Sequence, residues 1–512
     1  MNNHINRRQF IKMVGIGSVL LPVSKYAQTK NPSKHPNVLL LFADQHRASA
    51  IACYGDPNVR TPNFDKLANT GVRMNAAMSN TPVCCPFRAC LMSGLYSSHH
   101  GMMSNYTNFL PKGPLMAETF KKAGYQTGYI GKWHLEFPSH TKLFPNKYPG
   151  AHENFIPPER RFGYDWWRMG HNNHQHFEYS FFVQDAQNPT QPKKGWQPTA
   201  FTDLAIDFIK SQKQKDSPWF LTVSYGPPHT PYKAPETFTK NYDGDKLILS
   251  PNVPEGKAEI FARKNLPEYY GMIESLDVEV GRLMNLLDDL GISDNTIMLY
   301  TSDHGDMMGA FGCKVKRWPH DESARIPFLI RYPDVLPATK VVHDPIGAID
   351  FFPTLAGLSN LQVPNGLDGV NYANYLTGKA KTPPRDYTFS QMHYGYVPWP
   401  GWRSLRTKEF HYAETMEGPW LLFDVREDPH QINNLVDKEE YANVVKKMQN
   451  HLKQIMEECG DTWLETKITA DYGNQGDITN WQPGTNKLNQ INLGADWPGR
   501  TGWPNKKIGI GL

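Results

Sequence analysis

Val38-Leu39-Leu40-Leu41-Phe42-Ala43 is an unbroken apolar run of strand length that stops at Asp44-Gln45. A strand apolar at every position is covered on both faces, as in a parallel sheet between helices. Similar runs recur over 219–225, 296–301 and 328–330, and 126–130 adds another strand. Between them the period changes. Residues 115–123, closed by Gly124, read as a short helix, and Ile273, Leu276, Val280, Leu283, Leu287 and Leu290 fall at helical spacing over 269–290. Thr61 followed by Pro62 reads as a helix cap and first turn. Strands alternating with helices predict an α/β fold built on a large, mostly parallel sheet sandwiched by helices. The alternation continues over 341–358 and weakens after residue 385.

Beyond that point the pattern is antiparallel. Residues 404–407, 410–412 and 420–424 read as a small sheet, with 441–459 as one amphipathic helix against it. The tail from Asp471, rich in Gly, Asn, Pro and Trp, has no period and reads as loop wrapping the body. At the other end, Asn6-Arg7-Arg8-Gln9-Phe10-Ile11-Lys12 precedes an apolar run over 13–23 that Gly15, Gly17 and Pro22 interrupt. A positive segment before a short apolar one predicts an export signal of twin-arginine type, cleaved near Ala27, and a periplasmic protein. The expected organisation is a signal over 1–27, a large domain over 35–385, and a C-terminal subdomain with its tail over 386–512.

Charge and cysteine usage narrow the chemistry. A formal net charge of +4 with no long basic run excludes a dedicated nucleic-acid binder, while leaving room for a local basic pocket. An aromatic content of 12% suits a large core and sugar platforms equally. The six cysteines, at 53, 84, 85, 90, 313 and 459, match neither a disulfide framework nor a zinc pattern. No segment after the leader approaches membrane-spanning length.

The candidate chemistry centres on Cys84, Pro86 and Arg88, a C-x-P-x-R pattern that Leu91, Ser93 and Gly94 extend. Alone, the pentapeptide also fits a turn feeding a helix, with Cys84 and Cys85 as buried thiols. Its surroundings add weight. Asp44 and Asp303 each follow a buried-type strand, which puts them at the carboxyl edge of the sheet, where doubly wound folds bind ligands. His304 adjoins Asp303. Lys132 and His134, two apart on an extended loop after 126–130, can face one side and grip an anion. Pro227, Pro228 and Pro231 present His229, and Lys316 opens the segment leading to the strand at 328.

These separated motifs, in this order, resemble the type I sulfatases of the alkaline phosphatase superfamily over nearly the whole chain after the leader. The resemblance implies that a maturase oxidises Cys84 to formylglycine, whose hydrated aldehyde is the nucleophile. It implies a divalent metal held by Asp44, Gln45, Cys84, Asp303 and His304. Calcium is expected, with magnesium or manganese left open, because Gln45 and His304 stand where Asp and Asn are commoner in the family. Arg88, Lys132 and Lys316 are then expected to hold the sulfate. His229 is expected to protonate the leaving oxygen, with Lys316 as its rival, and His134 to accept a proton from the nucleophile. Asp306 is expected behind the metal ligands. The implied reaction is hydrolysis of a sulfate ester on a polysaccharide or oligosaccharide. Residues 160–167, 171–176, Trp318, His320 and Trp402 are candidates for the sugar cleft, with Arg403 or Arg317 pairing a uronate carboxylate. A phosphonate or phosphodiester hydrolase of the same fold, and a non-catalytic exported glycan-binding protein, remain as alternatives.

Overall fold

Strand β1 (Asn37–Asp44) is buried from end to end and alternates between two hydrophobic layers. Val38, Leu40 and Phe42 enter one layer, and Leu39, Leu41 and Ala43 the other. The computed structural model describes residues 35–105, 108–136, 155–170, 174–213, 215–393 and 401–463. The expected signal at 1–27, positions 171–173 of the His-rich segment and the tail from 471 lie outside them.

The remaining strands of the large sheet are β2 (Val72–Met78), β3 (Gln126–Lys132), β4 (Trp166–Gly170), β5 (Phe182–Val183), β6 (Trp219–Pro228), β7 (Thr296–Ser302), β8 (Phe328–Arg331) and β9 (Lys340–Gly347). Their order across the sheet is β9-β2-β8-β7-β1-β6-β3-β4-β5. The central pairings β7/β1, β1/β6, β6/β3 and β3/β4 are all parallel, while β8 runs antiparallel to both its neighbours. One face is covered by α1 (Pro62–Asn69), α4 (Gln197–Gln212) and the 33-residue α5 (Lys257–Asp289); the other by α2 (Cys84–Ser93), α3 (Met116–Lys122) and α6 (Phe351–Leu358). The sheet class and helical layers are those expected from the pattern. Among the described residues no helix is long and apolar enough to cross a membrane.

Two local expectations change. The long helix begins at Lys257, well before the periodic stretch, and carries Pro267 inside it. Thr61 does occupy the cap position of α1, but its hydroxyl accepts from Ala52 N instead. The first turn is capped by Asp277 of α5, whose two carboxylate oxygens accept from Asn63 N at 3.1 Å and Phe64 N at 2.7 Å.

The second sheet has four antiparallel strands, one more than expected: β10 (Tyr387–Met392), β11 (Trp402–Thr407), β12 (Phe410–Thr415) and β13 (Gly418–Asp424). Helix α7 (Ala442–Glu458) covers one face through Met448, Leu452, Ile455 and Met456. The layer under α7 also takes in Cys90 of α2, and the opposite face meets Val83 and Met307. The second sheet is thereby packed against the segments that carry the candidate chemistry.

Candidate active site

Parallel pairing brings the carboxyl ends of β1, β3, β6 and β7 to one edge. Asp44 is the last residue of β1 and Lys132 the last of β3; His229 follows β6 and Asp303 follows β7. Helix α2 begins at Cys84 itself, so the positive end of the helix dipole falls there, while two of its first-turn donors are used beside the site, Cys85 N on Asn105 Oδ1 at 3.0 Å and Phe87 N on Val83 O at 3.1 Å. Asp44, His134, His229, His304 and Lys316, all singled out in the sequence, contact the Cys84 sulfur.

The sulfur lies 3.7 Å from Asp44 Oδ1, 3.3 Å from His304 Nε2 and 3.2 Å from Lys316 Nζ. His134 shares a further hydrogen bond with it. Its backbone has φ 54°, so a left-handed turn, not an extended loop, swings it to the side where Lys132 lies. Burial alone would push the Cys84 thiol up, but Lys132, Lys316 and His304 bring it well below its ordinary value. The site is built for negative charge at position 84.

Arg88 lies underneath. Its Nη2 spans Asp44 Oδ2 at 3.2 Å and Asp303 Oδ2 at 3.1 Å, while Nη1 donates to Lys132 O at 2.6 Å and Ser224 Oγ at 2.8 Å. The guanidinium has no exposed surface and packs over Phe42. It locks the two carboxylates and the end of β3 in place, and does not face the opening. Ser224 was not singled out in the sequence. Its signal was a small hydroxyl, one of two with Thr222, inside the mostly apolar 219–225 run.

Asp44, Cys84, Asp303 and His304 each offer one ligand atom, all within 4.8 Å of one another. Burial and the neighbouring Asp44 charge push the Asp303 carboxyl up to about 6. Asp44 is pushed up by burial and by Cys84 but held below the usual carboxylate range by Lys132, His229 and Lys316. Two carboxylates that oppose each other's ionisation in a dry site fit a divalent cation between them. His304 Nδ1 lies 2.9 Å from Gly305 O, so that nitrogen carries the hydrogen and Nε2 turns its lone pair to the cluster. Gln45 Nε2 donates to Asp306 Oδ2 at 2.6 Å, which aims Oε1 back toward Lys316 Nζ, 3.1 Å away. Asp306 also accepts from Tyr232 OH at 2.6 Å and Met308 N at 3.0 Å. It sits behind the cluster, as expected, and Tyr232 is an addition.

On the opposite side Lys316 Nζ reaches His229 Nε2 at 2.8 Å. Burial, then Lys316, hold His229 below the ordinary histidine value. His134 is held down to about 3 by burial and by Lys132, leaving a neutral ring that can accept a proton. His174 stacks on His229, ring centres 4.0 Å apart and planes 16° apart. His176 lies behind, its Nε2 2.7 Å from His229 O. Burial, then His229 and Lys132, keep His174 well below the ordinary value.

Most of the expected sugar cleft is elsewhere. Arg403 is fully buried and spends its guanidinium on Asp461 and Met392 O, so it faces no uronate. Trp318, His320 and Trp402 are buried, and Trp402 Nε1 donates to Arg317 O. Phe162, Tyr164 and Trp167 belong to the core, Arg160 pairs with Glu136, and Arg161 with Asp185. Arg317 is half-buried, in a left-handed conformation at φ 80°. These polar and aromatic residues tie secondary structure together where solvent contact was expected.

The family model described as Sulfatase matches residues 36–361, and that of the N-sulphoglucosamine sulphohydrolase C-terminal region matches 309–458. The chain is 36% identical over 451 residues to the ulvan-active sulfatase of Formosa agariphila, covering 86% of this chain and 84% of that one. It is 26% identical to the N-acetylglucosamine-6-O-sulfatase of Bacteroides thetaiotaomicron, over 88% and 93% of the two chains. Among solved structures, the putative sulfatase yidJ from Bacteroides fragilis superposes with a TM-score of 0.76 at 28% identity, covering 85% of this chain and 98% of that one.

Proposed function

From the premise that the chain belongs to the sulfatase family of the alkaline phosphatase superfamily, and is a sulfuric ester hydrolase, we propose that it hydrolyses sulfate esters of a polysaccharide or oligosaccharide after conversion of Cys84 to formylglycine. The observation that carries this reading is the placing of Cys84 at the first position of α2, within 3.3 Å of His304 and 3.2 Å of Lys316. While residue 84 is still a cysteine, its sulfur stands in for the formylglycine oxygen. The names of the relatives, one active on ulvan and one on N-acetylglucosamine 6-sulfate, support a carbohydrate as the alcohol.

Asp44, Gln45, Asp303, His304 and residue 84 would hold a divalent cation, calcium in this reading, which would supply Lewis-acid polarisation of the sulfate, and the hydrated formylglycine would supply the attacking hydroxyl. Lys132 and Lys316 add positive charge where the sulfate oxygens gain negative charge. Arg88 keeps Asp44 and Asp303 fixed, a positioning role. His134 accepts the proton released from residue 84. On the far side the Lys316–His229 pair delivers a proton to the leaving oxygen, because a sugar alkoxide is a poor leaving group and sulfate has no proton to give. Water is consumed overall, and an alcohol and sulfate are formed.

The same reading takes residues 1–27 as an export signal, 35–385 as the catalytic domain and 386–512 as a subdomain that buttresses it, with a maturase acting on Cys84 and the enzyme working in the periplasm. Sulfate release from a panel of algal and animal sulfated glycans and their oligosaccharides tests it, with conversion of Cys84 verified by peptide mass and Cys84→Ala as control. Release from one glycan class, absent in the control, is expected. Fully converted protein that spares every sulfated glycan and cleaves an aryl phosphodiester faster than the matched aryl sulfate would overturn it.

A further inference from the structure

We propose that His174 is a sugar-contacting residue that selects the alcohol side of the ester, an assignment that rests on the glycan-sulfate reading above. Around Cys84, the side chains of Lys132, His134 and Lys316 are buried, whereas those of His229 and His174 are half-buried. Among the described residues, the site therefore opens past these two rings. In-line displacement sends the leaving oxygen away from residue 84 and out of the site, past Lys316 Nζ, which is 3.2 Å from the Cys84 sulfur, and the His229 ring beside it. The sugar attached to that oxygen then lies beyond His229, against His174.

The stack shapes the contact. One face of His174 is taken by His229, at 4.0 Å between ring centres, so a sugar hydroxyl must be met at the ring edge. His174 Nδ1 is buried and has no hydrogen-bond partner among the described residues. A buried ring nitrogen left unpaired is costly until a hydroxyl fills it, and one incoming partner then restores the lost bond.

The ring is also held ready. His176 Nε2 lies 2.7 Å from His229 O, Gln197 N donates to His176 O at 2.9 Å, and Gly226 N donates to Gln197 Oε1 at 3.2 Å. These bonds tie the segment bearing His174 to the loop bearing His229, so both rings are set before substrate arrives. Preorganisation of this kind favours a specificity contact, because little ordering is left to be done on binding.

The test compares kcat/KM of the converted wild type, His174→Ala and His174→Phe on 4-methylumbelliferyl sulfate, whose leaving group carries no neighbouring hydroxyl, and on sulfated oligosaccharides, beginning with those of ulvan. His174→Ala should lower the ratio of glycan to aryl activity about 10- to 100-fold, the discrimination expected of one lost polar contact. His174→Phe keeps a ring on His229 but removes both nitrogens, so it should fold if alanine does not and reproduce the same fall; His174→Gln, which restores a donor and acceptor, should recover part of it. Equal losses on both substrates, or an unchanged ratio in a wild type active on glycans, overturn this assignment alone. A converted wild type that cleaves the aryl ester but no glycan overturns the carbohydrate reading and this assignment with it.

Discussion

Lys316 Nζ donates to His229 Nε2 across 2.8 Å, and the far side of the imidazole fixes that direction. His229 Nδ1 lies 2.7 Å from Thr230 O; a carbonyl can only accept, so Nδ1 carries the ring's hydrogen and Nε2 offers a lone pair to the ammonium. In the proposed reaction the proton destined for the leaving oxygen therefore starts on Lys316, and the two residues act as one acid. His229→Ala and Lys316→Ala are each expected to lower kcat/KM about 100- to 10,000-fold on a poor leaving group. The double variant should fall little below the worse single one, because groups acting as a unit are not additive. On an aryl sulfate with an acidic phenol the losses should shrink. Full additivity across the cycle would separate the two roles.

Asp306 touches no bound group in the proposed reaction, yet it orients one. Its Oδ2 takes the Gln45 amide hydrogen at 2.6 Å, leaving Gln45 Oε1 to face the cluster. Asp306→Ala frees that amide to turn, and metal affinity should fall about 10- to 100-fold, as for other groups that orient a ligand from behind. Calcium titration followed by the rise in thermal midpoint reads this directly, independent of turnover. Tyr232→Phe, which leaves the Gln45 bond in place, should cost less. Unaltered calcium affinity in Asp306→Ala would remove Gln45 from the ligand set.

What the sequence disclosed and what it hid divide along one physical line. Val38–Ala43 is apolar at every position because both faces of β1 are covered, so local pattern alone placed Asp44 at its end. Cys84, Lys132, His229 and Asp303 were legible for the same reason, each next to an element boundary. The cap of α1 was not, because Asp277 lies 214 residues from Asn63 and nothing local announces it. Arg403 was misread for a related cause. A charged residue reads as exposed until its partner is known, and Asp461 stands 58 residues away. The start of α5 was blurred by Pro267, which reads as a helix boundary, although Ala258, Ala262 and Leu266 before it already fall at four-residue spacing on the buried face. Strand β10 carries Thr388, Ser390 and Gln391, polar yet buried by the surrounding packing.

Gly131 occupies a position where only glycine fits, and Lys132 depends on it. Its φ is 95°, and an added Cβ would stand 2.0 Å from the backbone oxygen of Ser224, the residue whose hydroxyl binds Arg88. Gly124 has a similar φ of 91° but nothing within 4 Å of its added Cβ. Gly124→Ala should therefore cost about 1–2 kcal/mol, the left-handed strain alone. Gly131→Ala adds the clash, for about 2–5 kcal/mol in total, and should also displace Lys132 from Asp44. Chemical denaturation of the two variants gives the comparison. Equal destabilisation would mean that β3 can shift to admit a methyl group.

Asp321 joins the loop after Lys316 to the second sheet. Its Oδ1 accepts from Arg406 Nη1 at 2.8 Å and Gln431 Nε2 at 3.0 Å, its Oδ2 pairs with Arg325 Nε at 2.9 Å, and its own N–H donates to Gln431 Oε1 at 3.0 Å. Burial pushes this carboxyl up, but Arg406, His411 and Arg325 outweigh it and hold Asp321 far below the usual carboxylate range. For an acid depressed in the native state, the stabilisation is fully present above the unfolded value of about 4 and is lost as pH falls below it toward the native value. Asp321→Asn leaves Arg406 and Arg325 without a counter-charge in a buried site, at a cost of about 3–5 kcal/mol at neutral pH. The thermal midpoint of the variant should be lower at pH 7 and should decline less than that of the wild type between about pH 4 and 2. Because Arg406 belongs to β11, the loss should loosen the second sheet first, seen as faster amide exchange in β11 and β12 than in β1. Parallel acid limbs in the two proteins would show that the Asp321 network contributes no pH-linked stability, and that the apolar layer around Trp402 and Trp420 is what holds the second sheet to the site.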